Sequence, residues 1–355
     1  MKPGFAAWLR GGSPRTLKRV SPTVSWPGMK VSDLGERRVV ELILSKMEQM
    51  EGSTGFWEDA SAIPIGDERL LVSSVDTLVW STDVPPGMTA RMAGAKAVTM
   101  AVSDMAAKGV KPTALMVSMS FPSDWDLETV LELSEGVNQA ARSYGAYVVG
   151  GDTNECPDPS VTCVALGVCP RSMFIPRSGA RPGDLLATTG LFGDTAAGLK
   201  VLLEGFEAPE SLREKLLKAV YHPKARLREG VKLAETGAVS ASIDSSDGLA
   251  MSLHDLSRSS GVGFLVEYLP ASESAEEFAS IHGLKVSDLV LYGGEEFEIV
   301  CCVKPDRAEE AVEALREVGC DLKMIGRVVE QPGVWLLEDG KPKPVPPMGW
   351  EHFRR

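Results

Sequence analysis

A chain of 355 residues with 44% apolar side chains is long enough for two compact cores and too apolar for general disorder. Its formal net charge of -12 repels a phosphate backbone, so nucleic acid is not an expected partner. No apolar run reaches the roughly eighteen residues that cross a bilayer, and the first residues lack the apolar stretch of a secretory signal, so a cytoplasmic protein with no membrane partner is expected.

The six cysteines, Cys156, Cys163, Cys169, Cys301, Cys302 and Cys320, contain no Cys-x-x-Cys pair and read as reduced, mostly core residues. Four histidines, none at helical ligand spacing, argue against a zinc hydrolase. Neither a Gly-Lys-Ser/Thr phosphate loop nor a Gly-x-Gly-x-x-Gly fingerprint is present, so a bound nucleotide would be held another way.

Residues 1–28, basic and rich in Pro and Gly, read as a flexible extension or a misassigned start. Apolar spacing predicts a first helix over Leu34–Met50 behind Ser32 and Asp33, then a strand at Leu70–Val72 leading to Asp76. A small-residue helix over Ala90–Ala107, a strand at Thr113–Met119 and a helix at Leu127–Tyr144 follow. The strand Ala146–Val149 then runs into a predicted turn at Gly150-Gly151, with a further strand at Val161–Val168. Periodicity breaks around Arg177–Asp184, which places a domain boundary there: residues 29–172 form one predicted domain and 173–355 another.

In the second domain, strands are predicted at Leu185–Thr188, Val239–Ile243, Phe264–Glu267, Phe297–Val303 and Lys323–Val329. Helices are predicted at Asp194–Leu203, Leu212–Val220, Ala225–Thr236 and from Gly248 onward. The class is therefore α+β, two mixed domains.

Six aspartates, Asp59, Asp76, Asp104, Asp152, Asp244 and Asp247, are predicted at or beside turns and helix starts. Such positions suit caps, and a single aspartate there means little. As a convergent set they would need cations, because carboxylates about 4 Å apart repel by roughly 4 kcal/mol at an effective dielectric of about 20. Oxygen-only ligation selects magnesium, which bridges carboxylates to phosphates. Gly150-Gly151-Asp152-Thr153 and Ser242-Ile243-Asp244-Ser245-Ser246-Asp247-Gly248-Leu249 are the two densest candidate stretches.

From about Val31 to Phe353 the chain resembles the thiamine-monophosphate kinase family, in the superfamily of aminoimidazole ribonucleotide synthase, selenophosphate synthetase and the hydrogenase-maturation ATPase. The resemblance is carried by Asp76-Thr77-Leu78-Val79, Lys96 with Ser103–Gly109, Gly150–Thr153, Arg177–Ala180, Gly190–Leu199 and His222-Pro223-Lys224. It continues through Ser242–Leu249, Tyr292–Glu298, Ile325–Val328 and Gly349–Phe353. It implies magnesium-dependent transfer of the ATP γ-phosphoryl to thiamine monophosphate, giving thiamine diphosphate and ADP. It also implies a homodimer whose N-terminal halves form a shared β-barrel.

By motif position, the resemblance makes Asp59, Asp76, Asp104, Asp152 and Asp244 magnesium ligands, joined by Asp247 and Ser74. Gly151, Asp152, Arg177 and Ser246 would contact ATP, while Asp83, Glu295, Glu296 and Trp350 would face the substrate. No separate catalytic residue is implied. Three positions depart from the family: Trp57-Glu58-Asp59 replaces Gly-Asp-Asp, Asp83 replaces a histidine, and Gly293–Phe297 replaces Gly-Gly-Glu-Asp-Tyr. Two rival readings are a different ATP-dependent enzyme of the superfamily, selenophosphate synthetase-like or hydrogenase-maturation-like, and a non-catalytic ATP-binding regulator. The enzymatic rivals need an N-terminal or a C-terminal cysteine, whereas no cysteine precedes Cys156 and the sequence given closes on Phe353-Arg354-Arg355.

Overall fold

The computed structural model describes residues 28–353, so the expected N-terminal extension lies, apart from Gly28, outside the described residues. The described residues fall into two compact units, one of residues 28–50 with 351–353 and one of residues 51–350. In the first unit a 3-10 turn, Val31–Asp33, precedes helix α1, Glu36–Leu44. This helix is shorter than the spacing predicts. Gly35, at φ 74°, starts it, and beyond its end the Ser45 hydroxyl folds back onto the Leu42 carbonyl at 2.6 Å. No residue of α1 is buried, so its apolar stripe gains little from packing within the described residues.

The second unit begins with β1 (Ser61–Pro64), β2 (Arg69–Val79), α2 (Trp80–Asp83), α3 (Ala90–Ala107), β3 (Pro112–Phe121), α4 (Leu127–Ser143), β4 (Tyr147–Glu155) and β5 (Ser160–Pro170). It continues with β6 (Leu185–Thr188), α5 (Asp194–Leu203), α6 (Glu210–Tyr221), α7 (Leu227–Thr236), β7 (Val239–Ser245), α8 (Leu249–Ser260), β8 (Gly263–Val266), α9 (Glu273–His282) and α10 (Val286–Tyr292). The last elements are β9 (Glu298–Val303), α11 (Ala308–Glu317), β10 (Lys323–Val329), β11 (Gly333–Glu338) and β12 (Lys341–Pro344).

The strands form two mixed sheets. One has the order β1-β2-β5-β3-β4, the other β12-β11-β8-β10-β6-β9-β7. In the first sheet only β3 and β4 are parallel, as their connection through α4 requires. Among the described residues there is no closed barrel.

Three aspartates are not where turn chemistry predicts them. β2 continues through Asp76, Asp104 lies in the last turn of α3, and β4 runs through Gly150-Gly151 to Glu155 without turning. At Gly151 a Cβ would lie 1.8 Å from the Val117 carbonyl oxygen, so close strand pairing, not a loop, requires that glycine. Helices α2, α9, α10 and α11 and strands β1, β11 and β12 were not predicted. α11 buries only Ala311 and Leu315, and β12 is a fully exposed Lys-Pro edge, so both carry a weak apolar signal.

Helix α3 is the central packing element, buried from Ala90 through Ala107 on most of its surface. Its close neighbours need glycine. A Cβ on Gly94 would lie 2.2 Å from the Leu133 carbonyl oxygen of α4, and one on Gly136 would lie 2.0 Å from that of Arg91. On another side of α3, a Cβ on Gly230 of α7 would lie 1.9 Å from the Ala106 oxygen. These approaches fix the height of α3 between its neighbours.

Helix α5 starts behind Gly193, at φ 105°, and is capped from a distant segment. Glu296 Oε1 accepts from Gly193 N at 2.7 Å and Thr195 N at 3.3 Å, and the Thr195 hydroxyl donates to Oε2 at 3.2 Å. Burial pushes this carboxyl up to about 8, with Asp194 and Glu298 adding like charge against the amides that favour the anion.

Gly136→Ala is expected to force α3 and α4 apart and lower stability by about 1 to 3 kcal/mol in denaturant melts, whereas an unchanged midpoint would contradict the glycine crossing. The raised Glu296 carboxyl gives a pH dependence of stability. The folded state holds this proton to higher pH than the ordinary 4.5, so its stability contribution is full below about 4.5 and is lost as pH rises through about 8. Glu296→Gln, which keeps the cap without the charge, is expected to flatten that decline. Parallel urea melts at about pH 5 and about pH 8 check this, and equal declines in both proteins would count against it.

Candidate active site

Three carboxylates from separate segments converge. Asp59 comes from the loop before β1, Asp104 from the last turn of α3, and Asp244 from the end of β7; one oxygen of each lies within 4.8 Å of the others. Local structure explains each placement. Asp244 is buried, and the Ser103 hydroxyl, on the same helix as Asp104, donates to its Oδ2 at 2.8 Å. Ser242, two residues earlier on β7, donates its hydroxyl to the Ala107 carbonyl and so clamps β7 to the end of α3.

Asp59 is charge-compensated by the protein. Lys108 Nζ lies 2.7 Å from its Oδ2, and Arg177 donates to Oδ1 through Nε at 2.7 Å and through a second, shorter contact. Burial alone would raise the Asp59 carboxyl, but Arg177 and then Lys108 hold it below its ordinary value. The other two carboxyls are not balanced in this way. Burial first, then Asp244, Asp76 and Asp59, push Asp104 well above the usual range. Burial and Asp59 likewise push Asp244 up to about 7. This all-oxygen donor set, convergent and short of positive charge, fits a hard divalent cation. Asp76 and Asp247 flank it closely enough to raise Asp104 and Asp244 respectively.

The remaining predicted metal positions differ. Ser74 is buried and donates to the Ala101 carbonyl at 2.6 Å, on the side of β2 that faces α3. Asp152 does not join the three carboxylates. It lies exposed on edge strand β4, accepts from Asn154 Nδ2 at 2.7 Å, and is in register with Ser118. Ser118 in turn pairs with Thr162 and Thr162 with Thr77, a row that alternates with that of Asp76. Gly151, in the same strand, sits against Val117.

Arg177, expected at ATP, is turned onto the Trp57-Glu58-Asp59 loop. Besides Asp59 it reaches the Trp57 carbonyl through Nη1 at 3.2 Å, and its backbone amide donates to Glu58 Oε2 at 2.9 Å. The loop's departure from glycine is visible here. Trp57 adopts φ 69°, a left-handed conformation that costs a bulky residue roughly 1 to 2 kcal/mol. Arg258 stacks over its ring at 4.4 Å and helps to hold it there.

Two of the expected substrate residues, Asp83 and Glu295, gather around Lys96, a buried lysine of α3. Lys96 Nζ donates to the Asp83 carbonyl at 2.8 Å and to Glu295 Oε1 at 2.5 Å. Asp83 itself caps α2, its Oδ2 accepting from Val79 N at 2.7 Å. Glu295, at φ 65°, is pinned by its amide to the Ser246 carbonyl at 2.6 Å, and the Trp350 amide donates to the Asp247 carbonyl at 3.0 Å. Trp350 leaves its ring exposed. Glu296 is engaged at the start of α5 rather than beside Glu295.

The two buried lysines are the residues that sequence reasoning gave no role. A signal existed: Lys96 and Lys108 interrupt or end a small apolar helix, and a lysine is almost never fully buried without a partner. Spacing alone does not say which carboxylate it meets.

The description "AIR synthase related protein, N-terminal domain" matches residues 57–169, and its C-terminal counterpart matches residues 181–336. The thiamine-monophosphate kinase of Pyrococcus horikoshii is 36% identical over 319 residues, covering 89% of this chain and 96% of the relative. That of Nitrosopumilus maritimus is 33% identical over 324 residues, covering 91% of this chain and 100% of its own length. A solved structure of AaThiL complexed with AMPPCP and TMP superposes with a TM-score of 0.81 at 28% identity, covering 92% of this chain and 100% of that one. The two-domain match and the near full-length relatives place this chain in the thiamine-monophosphate kinase family of AIR synthase related proteins.

Proposed function

We infer that the chain is a thiamine-monophosphate kinase, moving the γ-phosphoryl group of ATP onto the phosphate of thiamine monophosphate to give thiamine diphosphate and ADP. The observation that carries this is the meeting of Asp59, Asp104 and Asp244 in a chain that aligns over almost its whole length with named kinases of that substrate.

We propose Mg2+ as the ion these carboxylates hold, with Asp104 and Asp244 as the core ligands and Asp59, Asp76, Asp247, Ser74 and Asp152 as further contributors. Magnesium, when bound, would neutralise charge on the transferring phosphoryl group. The protein's own part is positioning. Asp104 and Asp244 are held on buried elements, and Arg177 offers a guanidinium to phosphate once it leaves Asp59. Gly151, Asp152 and Ser246 remain proposed ATP contacts, and Asp83, Glu295, Glu296 and Trp350 proposed substrate contacts. The acceptor is already an anion, so no general base is assigned. An exposed indole at Trp350 suits a flat, cationic thiazolium.

A homodimer with a shared barrel is supported by the first sheet. Val75 and Met116 are exposed on the same row, and edge strand β4 exposes Tyr147, Val148 and Val149. Such a surface invites a second copy. We retain a boundary near residue 173 between an N-terminal ATP, metal and dimer domain and a C-terminal domain, and a cytoplasmic location. No helix among the described residues is long and apolar enough to cross a membrane.

Incubation with ATP, Mg2+ and thiamine monophosphate is expected to yield thiamine diphosphate and ADP, with thiamine itself unchanged. Asp104→Asn is expected to lower kcat by roughly a hundredfold or more at saturating Mg2+. Absence of thiamine diphosphate with the unmodified protein would overturn the assignment. Near-normal turnover of the variant would overturn the role of Asp104.

A further inference from the structure

One ammonium touches every segment that supplies the three carboxylates. Lys108, wholly buried, caps the C-terminus of α3, one turn beyond Asp104. Its Nζ donates to the Ser242 carbonyl at 2.8 Å, on the strand that carries Asp244 two residues later. It also reaches Glu58 Oε2 at 3.1 Å and Asp59 Oδ2 at 2.7 Å in the loop before β1. Its backbone carbonyl accepts from Ile175 N at 3.2 Å, two residues before Arg177.

We propose that Lys108 is a positioning residue for the divalent-cation site, an inference that rests on the reading of these carboxylates as metal ligands. An ammonium has three donors, and three acceptor atoms on two other segments lie within 3.1 Å of Nζ. Asp104 and Asp244 accept none of them. Lys108 therefore fixes the distance between the loop, the helix end and the strand while leaving the two uncompensated carboxylates to the ion. When Arg177 turns to nucleotide phosphate, Lys108 is the cation that stays with Asp59.

The rival view is that Lys108 merely competes with the ion as a neighbouring positive charge. The two views differ in sign: loss of a positioning residue weakens metal binding, whereas loss of a competing charge strengthens it.

The test is Mn2+ titration, followed by electron paramagnetic resonance of the free ion, on the full chain with and without the non-hydrolysable analogue AMPPCP. Lys108→Met and the charge-balanced pair Lys108→Met/Glu58→Gln are compared with the unmodified protein, with circular dichroism reporting the fold. Both variants are expected to bind Mn2+ about tenfold or more weakly, in line with the loss of groups that orient metal ligands. The paired variant is expected to melt at a higher temperature than Lys108→Met, because removing the Glu58 charge together with the ammonium leaves the net charge of the buried cluster unchanged. If only the paired variant folds, its Mn2+ affinity decides the matter. A folded variant that binds Mn2+ within about twofold of the unmodified protein, or more tightly, overturns the proposal. If the unmodified protein binds no Mn2+ even with AMPPCP, the metal reading fails and this inference fails with it.

Discussion

Burial of unlike numbers of opposite charges sets the character of this site. Arg177 and Lys108 converge on Asp59, while Asp104 and Asp244 have neighbours of their own sign and, among the described residues, no side-chain cation in contact. When both are ionised, two such carboxylates repel by roughly 4 kcal/mol at about 4 Å and an effective dielectric of about 20, a substantial share of a domain's net stability. The fold tolerates this because α3 and β7 are held by other means. Glycine crossings fix α3 against α4 and α7, and hydroxyls of Ser103 and Ser242 tie β7 to α3. A divalent ion held here, as proposed above, would relieve that imbalance.

Helix α3 links this site to the group around Lys96. It carries Lys96 near its start and Asp104 with Lys108 at its end. Lys96 gathers Asp83 and Glu295, while Lys108 gathers Glu58, Asp59 and the Ser242 carbonyl. One rigid helix therefore sets the spacing between the two buried charged groups. A helix of small residues suits this task, since its neighbours come close enough to prevent sliding.

Much of this was legible in the sequence, for identifiable reasons. The small-residue run predicted α3 at Ala90–Ala107, and strong apolar runs gave β6 and β10 their bounds. The aspartates were marked by motif, yet the physical reason offered for them, turn position, holds poorly: Asp76, Asp104 and Asp152 lie within strands or a helix. Gly150-Gly151 looked like a turn because glycine serves both turns and close strand approach, and only the Val117 contact distinguishes them. Trp57 could not be assigned a left-handed conformation from its type, since its stabilising partners Arg177 and Arg258 are distant in the chain.

The most direct measurement is anomalous diffraction from crystals grown with Mn2+ and AMPPCP. The expected result is a manganese peak within coordination distance of Asp104 and Asp244 and of a phosphate oxygen, with Lys108 still on Asp59. Manganese found only at other carboxylates, or nucleotide bound with no ion between it and these side chains, would contradict the account.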